Sequence, residues 1–187
     1  AGNKPLQDAV YGEMLGRIKQ TDLSVPYRRG TYLYYTRTEE GKQYPYFCRR
    51  KGSMEAPEEL MIDVNALAEG HRFMAIGDFE VSPDEQWLAF TIDSTGYRQY
   101  ALRVRDLNTG TDHADHAERV TSIAWASDNK TLFYTQEDEV SKRSWLVYRH
   151  TLGGAKHEEL YRETDERFEV GVGASRSREW IIQTRSS

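Results

Sequence analysis

Residues 79–110 of this chain can be laid over residues 123–154 without a gap, a displacement of 44 residues. Phe79-Glu80-Val81-Ser82-Pro83-Asp84 falls on Ile123-Ala124-Trp125-Ala126-Ser127-Asp128, and Leu88-Ala89-Phe90-Thr91 on Leu132-Phe133-Tyr134-Thr135. Leu102 falls on Leu146 and Gly110 on Gly154. An earlier copy places Leu33-Tyr34-Tyr35-Thr36 under Leu88-Ala89-Phe90-Thr91, and a later partial one runs from Phe168 to Trp180-Ile181-Ile182-Gln183-Thr184. Each copy reads as an apolar strand, a polar turn such as Ser82-Pro83-Asp84, a second apolar strand, a hairpin, and a third strand ending near Asn108-Thr109-Gly110. Proline at the second turn position and aspartate beside it favour that turn. A fourth, weaker strand is placed at 112–119 and 158–162. Units of about 40–50 residues with four strands are blades of a β-propeller. One such unit cannot cover both of its own faces, so units stack around an axis. The fold class expected is therefore all-β, a partial β-propeller of four-stranded blades preceded by a short N-terminal helix.

The helix is placed at residues 5–20. Pro5 suits a first helical turn, and Leu6, Val10, Met14 and Ile18 recur at i, i+4 with Leu15 alongside. That face is expected to be buried, with Gln7, Asp8, Glu13, Arg17 and Lys19 on the other. Gly12 and Gly16 weaken the helix in isolation. Residues 1–26 are thus read as helix and linker, and 27–187 as propeller. Within the latter, strands are expected at 31–37, 44–50 and 60–64, a loop at 53–59 around Pro57, and one helical turn at 65–70 closed by Gly70. The count is one incomplete opening blade, two fuller ones and the start of a fourth. The last sheet would keep an open edge, from which the chain is read as part of a longer protein.

Composition narrows the function classes. Tyrosine is the commonest aromatic and aromatics reach 12%, as strands favour. Net charge is −5 with both signs interleaved, so there is no nucleic-acid footprint, and Tyr27-Arg28-Arg29 and Arg49-Arg50-Lys51 read as solvated strand ends. No apolar run is long enough for a membrane span, and Ala1-Gly2-Asn3-Lys4-Pro5 has no apolar signal-peptide core. Cys48 is alone and reads as a small buried residue. A cytoplasmic location is expected.

Residues that invite a chemical reading do not complete a site. A nucleophile elbow needs Gly-x-Ser-x-Gly; Gly173-Ala174-Ser175-Arg176-Ser177 breaks it. A phosphate loop beginning at Gly171-Val172-Gly173 fails at Arg176, and a strand with small residues near a propeller axis is preferred. His113-Ala114-Asp115-His116, with Asp112 and Glu118 nearby, lacks a second ligand cluster of metal-site spacing; an exposed outer strand or blade linker is preferred. His157-Glu158-Glu159 lacks the second histidine of a zinc-peptidase helix. Trp87, Trp125, Trp145 and Trp180 are read as blade-to-blade packing. No catalytic, cofactor-binding or metal-binding residue is assigned.

An ordered set of motifs carries a resemblance. Residues 13–22 (EMLGRIKQTD) and 24–30 (SVPYRRG), then Gly41-Lys42-Gln43-Tyr44-Pro45, Cys48-Arg49-Arg50-Lys51, residues 63–71 (DVNALAEGH) and 79–84 (FEVSPD), resemble the oligopeptidase B group of the prolyl oligopeptidase family of serine peptidases. The Ser-Pro-Asp turn is common to many propellers; the run from Arg17 to Gly30 is far more specific. The resemblance covers about Gln7 to the end. It implies a seven-bladed propeller over an α/β-hydrolase domain that cuts short peptides after Arg or Lys, with the catalytic triad and the acidic residues that recognise the basic side chain in that other domain. The expected partners are that hydrolase domain and short basic peptides. The expected role here is non-catalytic exclusion of bulky substrates, with Asp93, Tyr97 and Arg98 as candidate interdomain or gating residues. Two other readings stay open. One is a stand-alone interaction module that closes by self-association through open blade edges; the other is a relative of different specificity.

Overall fold

The computed structural model describes residues 3–187, which fall into two compact units divided between residues 66 and 67. The first unit holds helix α1 (Lys4–Arg17) and an antiparallel sheet of β1 (Tyr27–Arg29), β2 (Tyr32–Arg37), β3 (Tyr46–Lys51) and β4 (Glu58–Asp63), in that order. This sheet is complete, where an incomplete opening blade was expected. The missing strand is β1, a three-residue strand with two arginines and no alternation for a period-2 reading to catch. It is held by register, Tyr27 opposite Tyr34, and by stacking of those two rings at 5.7 Å. Strand β4 opens at Glu58, inside the span read as a loop.

The middle of this sheet is cross-linked by side chains. The Tyr35 hydroxyl and the Arg37 Nε–H donate to the Glu58 carboxylate at 2.6 and 2.9 Å, and Arg37 lies over the Tyr46 ring at 4.2 Å. Cys48 is fully buried beside Tyr35 and Tyr46, and burial pushes its thiol up to about 11. It therefore stays protonated and behaves as a small apolar residue, as the sequence indicated.

Helix α1 begins after Asn3 with Pro5 in its first turn and stops at Arg17, where Ile18 is already extended. None of its residues is buried. The row expected to be covered is open: Leu6 is 65% exposed, Val10 46%, Met14 59% and Ile18 59%. The i, i+4 spacing made an apolar face, but no described element of this unit lies on it.

A single turn, α2 (Val64–Leu67), leads to Gly70 at φ +80°. The second unit then repeats one plan. Strands β5 (Ala75–Val81), β6 (Trp87–Asp93), β7 (Ala101–Asp106) and β8 (Asp112–Ala117) form one antiparallel sheet. Strands β9 (Val120–Trp125), β10 (Thr131–Glu137), β11 (Ser144–Thr151) and β12 (His157–Arg162) form the next, and β13 (Glu169–Ala174) pairs with β14 (Ile181–Ser186). The turns repeat too. In each first hairpin one residue takes the left-handed conformation, Glu85, Asn129 and Arg178, with φ of 64°, 60° and 61°. Ser82 Oγ accepts the Trp87 N–H at 2.9 Å, and Ser175 Oγ accepts the Trp180 N–H at 3.1 Å.

Successive sheets are tied at their first strands. The Trp125 indole N–H donates to the Glu80 carbonyl at 2.9 Å, and Asp78 Oδ2 accepts the Ile123 N–H at 3.0 Å. Ser122 Oγ accepts the Val172 N–H at 3.0 Å, passing the same connection to the next pair. Around these bonds Ala89, Leu102, Val104, Val120, Ile123, Trp125, Leu132 and Tyr134 form one buried cluster. Each large member contributes roughly 1.5–3 kcal/mol through burial. The expectation for the tryptophans holds for Trp125 and for Trp87, which packs against this cluster. Trp145 instead lies under the Arg162 guanidinium at 4.5 Å, and Trp180 is 70% exposed. These are the four-stranded blades of a partial propeller.

Two glycines give opposite expectations. A Cβ at Gly77, in the bulge of β5, would stand 2.5 Å from Thr91 Oγ1 and 2.8 Å from the Tyr100 ring, whereas one at Gly173 meets nothing within 4 Å. Gly77→Ala is expected to destabilise by about 1–3 kcal/mol through overpacking, and Gly173→Ala to be close to neutral, as read by urea unfolding followed through tryptophan fluorescence.

Candidate functional site

At the end of β6 the chain must reverse through residues 94–100 to reach β7, and a buried carboxylate organises that reversal. Asp93 is 1% exposed. Its Oδ1 accepts the Thr95 N–H at 2.8 Å, the Thr95 hydroxyl at 2.6 Å and the Gly96 N–H at 3.2 Å, and its Oδ2 accepts the Arg98 N–H at 2.8 Å. An aspartate that binds backbone N–H groups ahead of it is the usual device for a tight loop. Burial pushes the Asp93 carboxyl up, but the bonds from Thr95, Arg98 and Gly96 outweigh it and hold the group below the ordinary carboxylate value. Gly96 at φ +80° and Arg98 at φ 58° complete the reversal. The result is that Tyr97 stands out from the loop, 76% exposed.

The three candidate residues therefore divide by role. Asp93 is an internal anchor with its oxygens already occupied, while Tyr97 and Arg98 are what the loop presents. All three lie on or beside one loop, and nothing in the sequence marked this division.

The neighbouring sheet repeats the arrangement. Asp138 Oδ1 accepts the N–H groups of Val140 and Ser141 at 2.9 and 2.7 Å, and Lys142 takes the left-handed position at φ 60°. The Arg143 guanidinium donates to the carbonyls of Phe168 and Glu163 at 2.7 and 3.2 Å, closing this loop onto the connection that leads to β13. In the same way the Val120 N–H donates to the Tyr100 carbonyl at 2.9 Å, joining the 94–100 loop to the connection between β8 and β9. One end of the unit thus carries rigid polar loops with exposed tips. The 138–143 loop borders an open cleft of about 550 Å³, lined also by Trp145, Glu163 and Glu166.

The other residues singled out in the sequence take structural places. Ser175 opens the turn between β13 and β14, with the Trp180 N–H and the Ser177 hydroxyl as its partners and no histidine among them. Gly171 and Gly173 lie in β13. His113, Asp115 and His116 lie on the outer strand β8, as the strand reading required. Asp115 itself is buried, however, and it faces His150 of the next sheet. His150 is 35 residues away, and nothing local in the sequence joins them. Among the described residues no group of three or more His, Cys, Asp or Glu side chains is placed to hold a metal ion.

The comparisons with known proteins agree with this architecture. The family described as "Prolyl oligopeptidase, N-terminal beta-propeller domain" matches residues 1–187. The chain is 38% identical to dipeptidyl aminopeptidase BI of Pseudoxanthomonas mexicana over 95% of its length, covering 27% of that relative. It is 29% identical to Protease 2 of Moraxella lacunata over 98% of its length, covering 28% of that relative. Among solved structures, oligopeptidase B from Leishmania major superposes with a TM-score of 0.90 at 30% identity, over 98% of this chain and 27% of that one. Oligopeptidase B from Trypanosoma brucei, in a closed form with covalently bound antipain, superposes with a TM-score of 0.88 at 32% identity, over 98% and 26%. The chain spans about a quarter of the length of these relatives.

Asp93→Ala is expected to leave three N–H groups unmatched and to destabilise by about 1–3 kcal/mol, with hydrogen exchange rising first in residues 94–100. Because folding depresses the Asp93 pKa, its contribution is complete above the ordinary carboxylate pKa of about 4 and is lost as pH falls below it. Exchange in that loop should accordingly rise below about pH 4 in the wild type and become less pH-dependent in the variant.

Proposed function

The chain belongs to the N-terminal β-propeller family of the prolyl oligopeptidases, and from that premise we propose that it is the non-catalytic propeller of a serine oligopeptidase that cleaves short peptides after Arg or Lys. In this reading residues 1–26 are helix and linker, and residues 27–187 are propeller blades. Its partner is the hydrolase domain of the same polypeptide, which supplies the nucleophile and its base. The propeller supplies a wall. Sheets locked strand to strand leave narrow routes to an enclosed site, so a short extended peptide passes and a folded protein does not. Selection of that kind requires rigidity and no reactive side chain.

The observation that carries the proposal is the set of carboxylate-anchored loops at one end of the second unit. Asp93 and Asp138 each spend their oxygens on loop N–H groups, so the loop tips are fixed in place. A fixed tip such as Tyr97 is suited to meet a second domain that opens and closes, and the similar Trypanosoma brucei oligopeptidase B structure is of a closed form. The lone buried Cys48 supports a reducing, cytoplasmic setting, and no helix among the described residues is long and apolar enough to cross a membrane.

A second reading concerns specificity alone. The relative at 38% identity is named a dipeptidyl aminopeptidase, which favours release of dipeptides from a free N-terminus over internal cleavage.

The full-length polypeptide assayed on fluorogenic Arg and Lys peptides, with free and with acylated N-termini, tests the proposal. Cleavage of the acylated peptides, falling away as substrates lengthen towards folded proteins, is expected. Turnover of free-amine dipeptide substrates only would select the second reading, and no hydrolysis of either would reject both. Tyr97→Ala and Arg98→Ala are expected to change kcat/KM by up to about tenfold, equivalent to about 1.4 kcal/mol; unchanged kinetics would remove the gating role of these residues.

A further inference from the structure

Four of the chain's five histidines gather at one seam between two sheets. His113 and His116 come from β8, the last strand of one sheet; His150 and His157 come from β11 and β12 of the next. Asp115 of β8 reaches across. Its Oδ1 meets the His150 Nε2, and the Gly153 N–H donates to Oδ1 and Oδ2 at 3.0 and 3.1 Å. His113 Nδ1 lies against Oδ2 without hydrogen-bond alignment, and the edge of Trp87 meets the His113 ring at 5.8 Å. His116 is exposed, with its Nδ1 3.2 Å from the Ala114 carbonyl.

His150 is 1% exposed, and its second nitrogen, Nδ1, lies 3.1 Å from the Lys156 carbonyl oxygen. A carbonyl can only accept, and so can an ionised carboxylate. Burial pushes the Asp115 carboxyl up, but the bonds from His150 and Gly153, with His113 close by, hold it below the ordinary carboxylate value, so it is an anion near neutrality. His150 therefore has an acceptor at each ring nitrogen, one of them the Asp115 carboxylate, and is held in place by both.

His157 faces a hydroxyl donor instead. Its ring lies parallel to that of His150, 4.0 Å between centroids and 7° between planes. Its Nδ1 is 2.8 Å from the hydroxyl of buried Tyr134 of β10, which donates to it when the ring is neutral. Burial and then the charge of His150 hold His157 below the ordinary imidazole value; His116 acts in the same direction and Asp115 against.

We propose that this seam is a proton-operated latch between the two sheets, closed while neutral His157 stacks on the His150–Asp115 pair and opened when His157 takes up a proton. A cation at His157, stacked 4.0 Å from His150, would draw on the single Asp115 carboxylate that His150 already engages. The Tyr134 hydroxyl would also have to turn from donor to acceptor. The sign follows from linkage. The opened seam binds the proton with the ordinary imidazole pKa of about 6.5, whereas the closed seam binds it more weakly. Closure is therefore complete above about pH 6.5 and weakens on acidification, by at most about tenfold per pH unit for one proton. The latch joins β8 to β11 and β12, away from the first strands, so it can release while the first-strand bonds from Asp78 and Glu80 stay in place. It is independent of the peptidase reading.

Hydrogen exchange by mass spectrometry on the full-length protein between about pH 5 and 8, with times scaled for intrinsic exchange, tests it. Peptides covering residues 112–117 and 150–162 should lose protection below about pH 6.5 in the wild type, while those covering β5 and β9 do not. His157→Gln should keep protection near pH 7.5 and lose most of the acid response. Tyr134→Phe, which keeps the ring and removes the donor to His157, should move the loss to higher pH. Protection that does not change with pH in the wild type, an acid response retained in full by His157→Gln, or a midpoint unmoved in Tyr134→Phe would each overturn the latch.

Discussion

The central strands of these sheets are buried on both faces, and that is the constraint from which the rest of the structure follows. Leu88, Ala89, Phe90 and Thr91 are consecutive residues of β6 and all are buried. In a strand, consecutive side chains point to opposite faces, so this sheet is covered on both. The same holds for Tyr134 and Thr135 in β10. A sheet of this kind is stable only between neighbours, and the chain meets the requirement by repeating one unit and tying each first strand to the next. Asp78, Glu80 and Ser122 carry those ties. A neighbour's backbone or indole N–H is satisfied in each case, so the ties fix register as well as proximity.

Rigidity at one end of the second unit follows from this stacking. Loops that close on aspartates need those aspartates held still, and Asp93 ends β6 while Asp138 follows directly on β10, the second strands of their sheets, where the strand ladder fixes the backbone. The loops then become surfaces of defined shape. In the proposed reading, such surfaces are what a propeller in front of a hydrolase domain would use to exclude bulky substrates and to meet its partner.

Much of this was legible in the sequence because repetition amplifies a weak signal. Ser82-Pro83-Asp84 alone is a common turn; its recurrence 44 residues later beside matched apolar strands identifies a blade. What the sequence hid was of two kinds. Strand β1 is three residues long, and Tyr27-Arg28-Arg29 has no period to read. Contacts between sheets join residues far apart in the chain, as Asp115 and His150 do. His113-Ala114-Asp115-His116 looks like an exposed strand because three of its four residues are on the surface or half exposed, and the one that matters faces a partner the local pattern cannot reveal. Helix α1 shows the converse. Its i, i+4 row was read correctly as an apolar stripe, but a stripe states only that burial would be favourable and not that this unit provides a cover.

The central claim is that these residues form the wall of a peptidase and not its reactive centre. Labelling the full-length polypeptide with a fluorophosphonate probe, and locating the modified serine by peptide mapping, tests it most directly. A single stoichiometric adduct outside residues 1–187 is the result expected. A stoichiometric adduct on a serine within them, Ser175 for instance, with hydrolysis abolished by its replacement with alanine, would contradict the account.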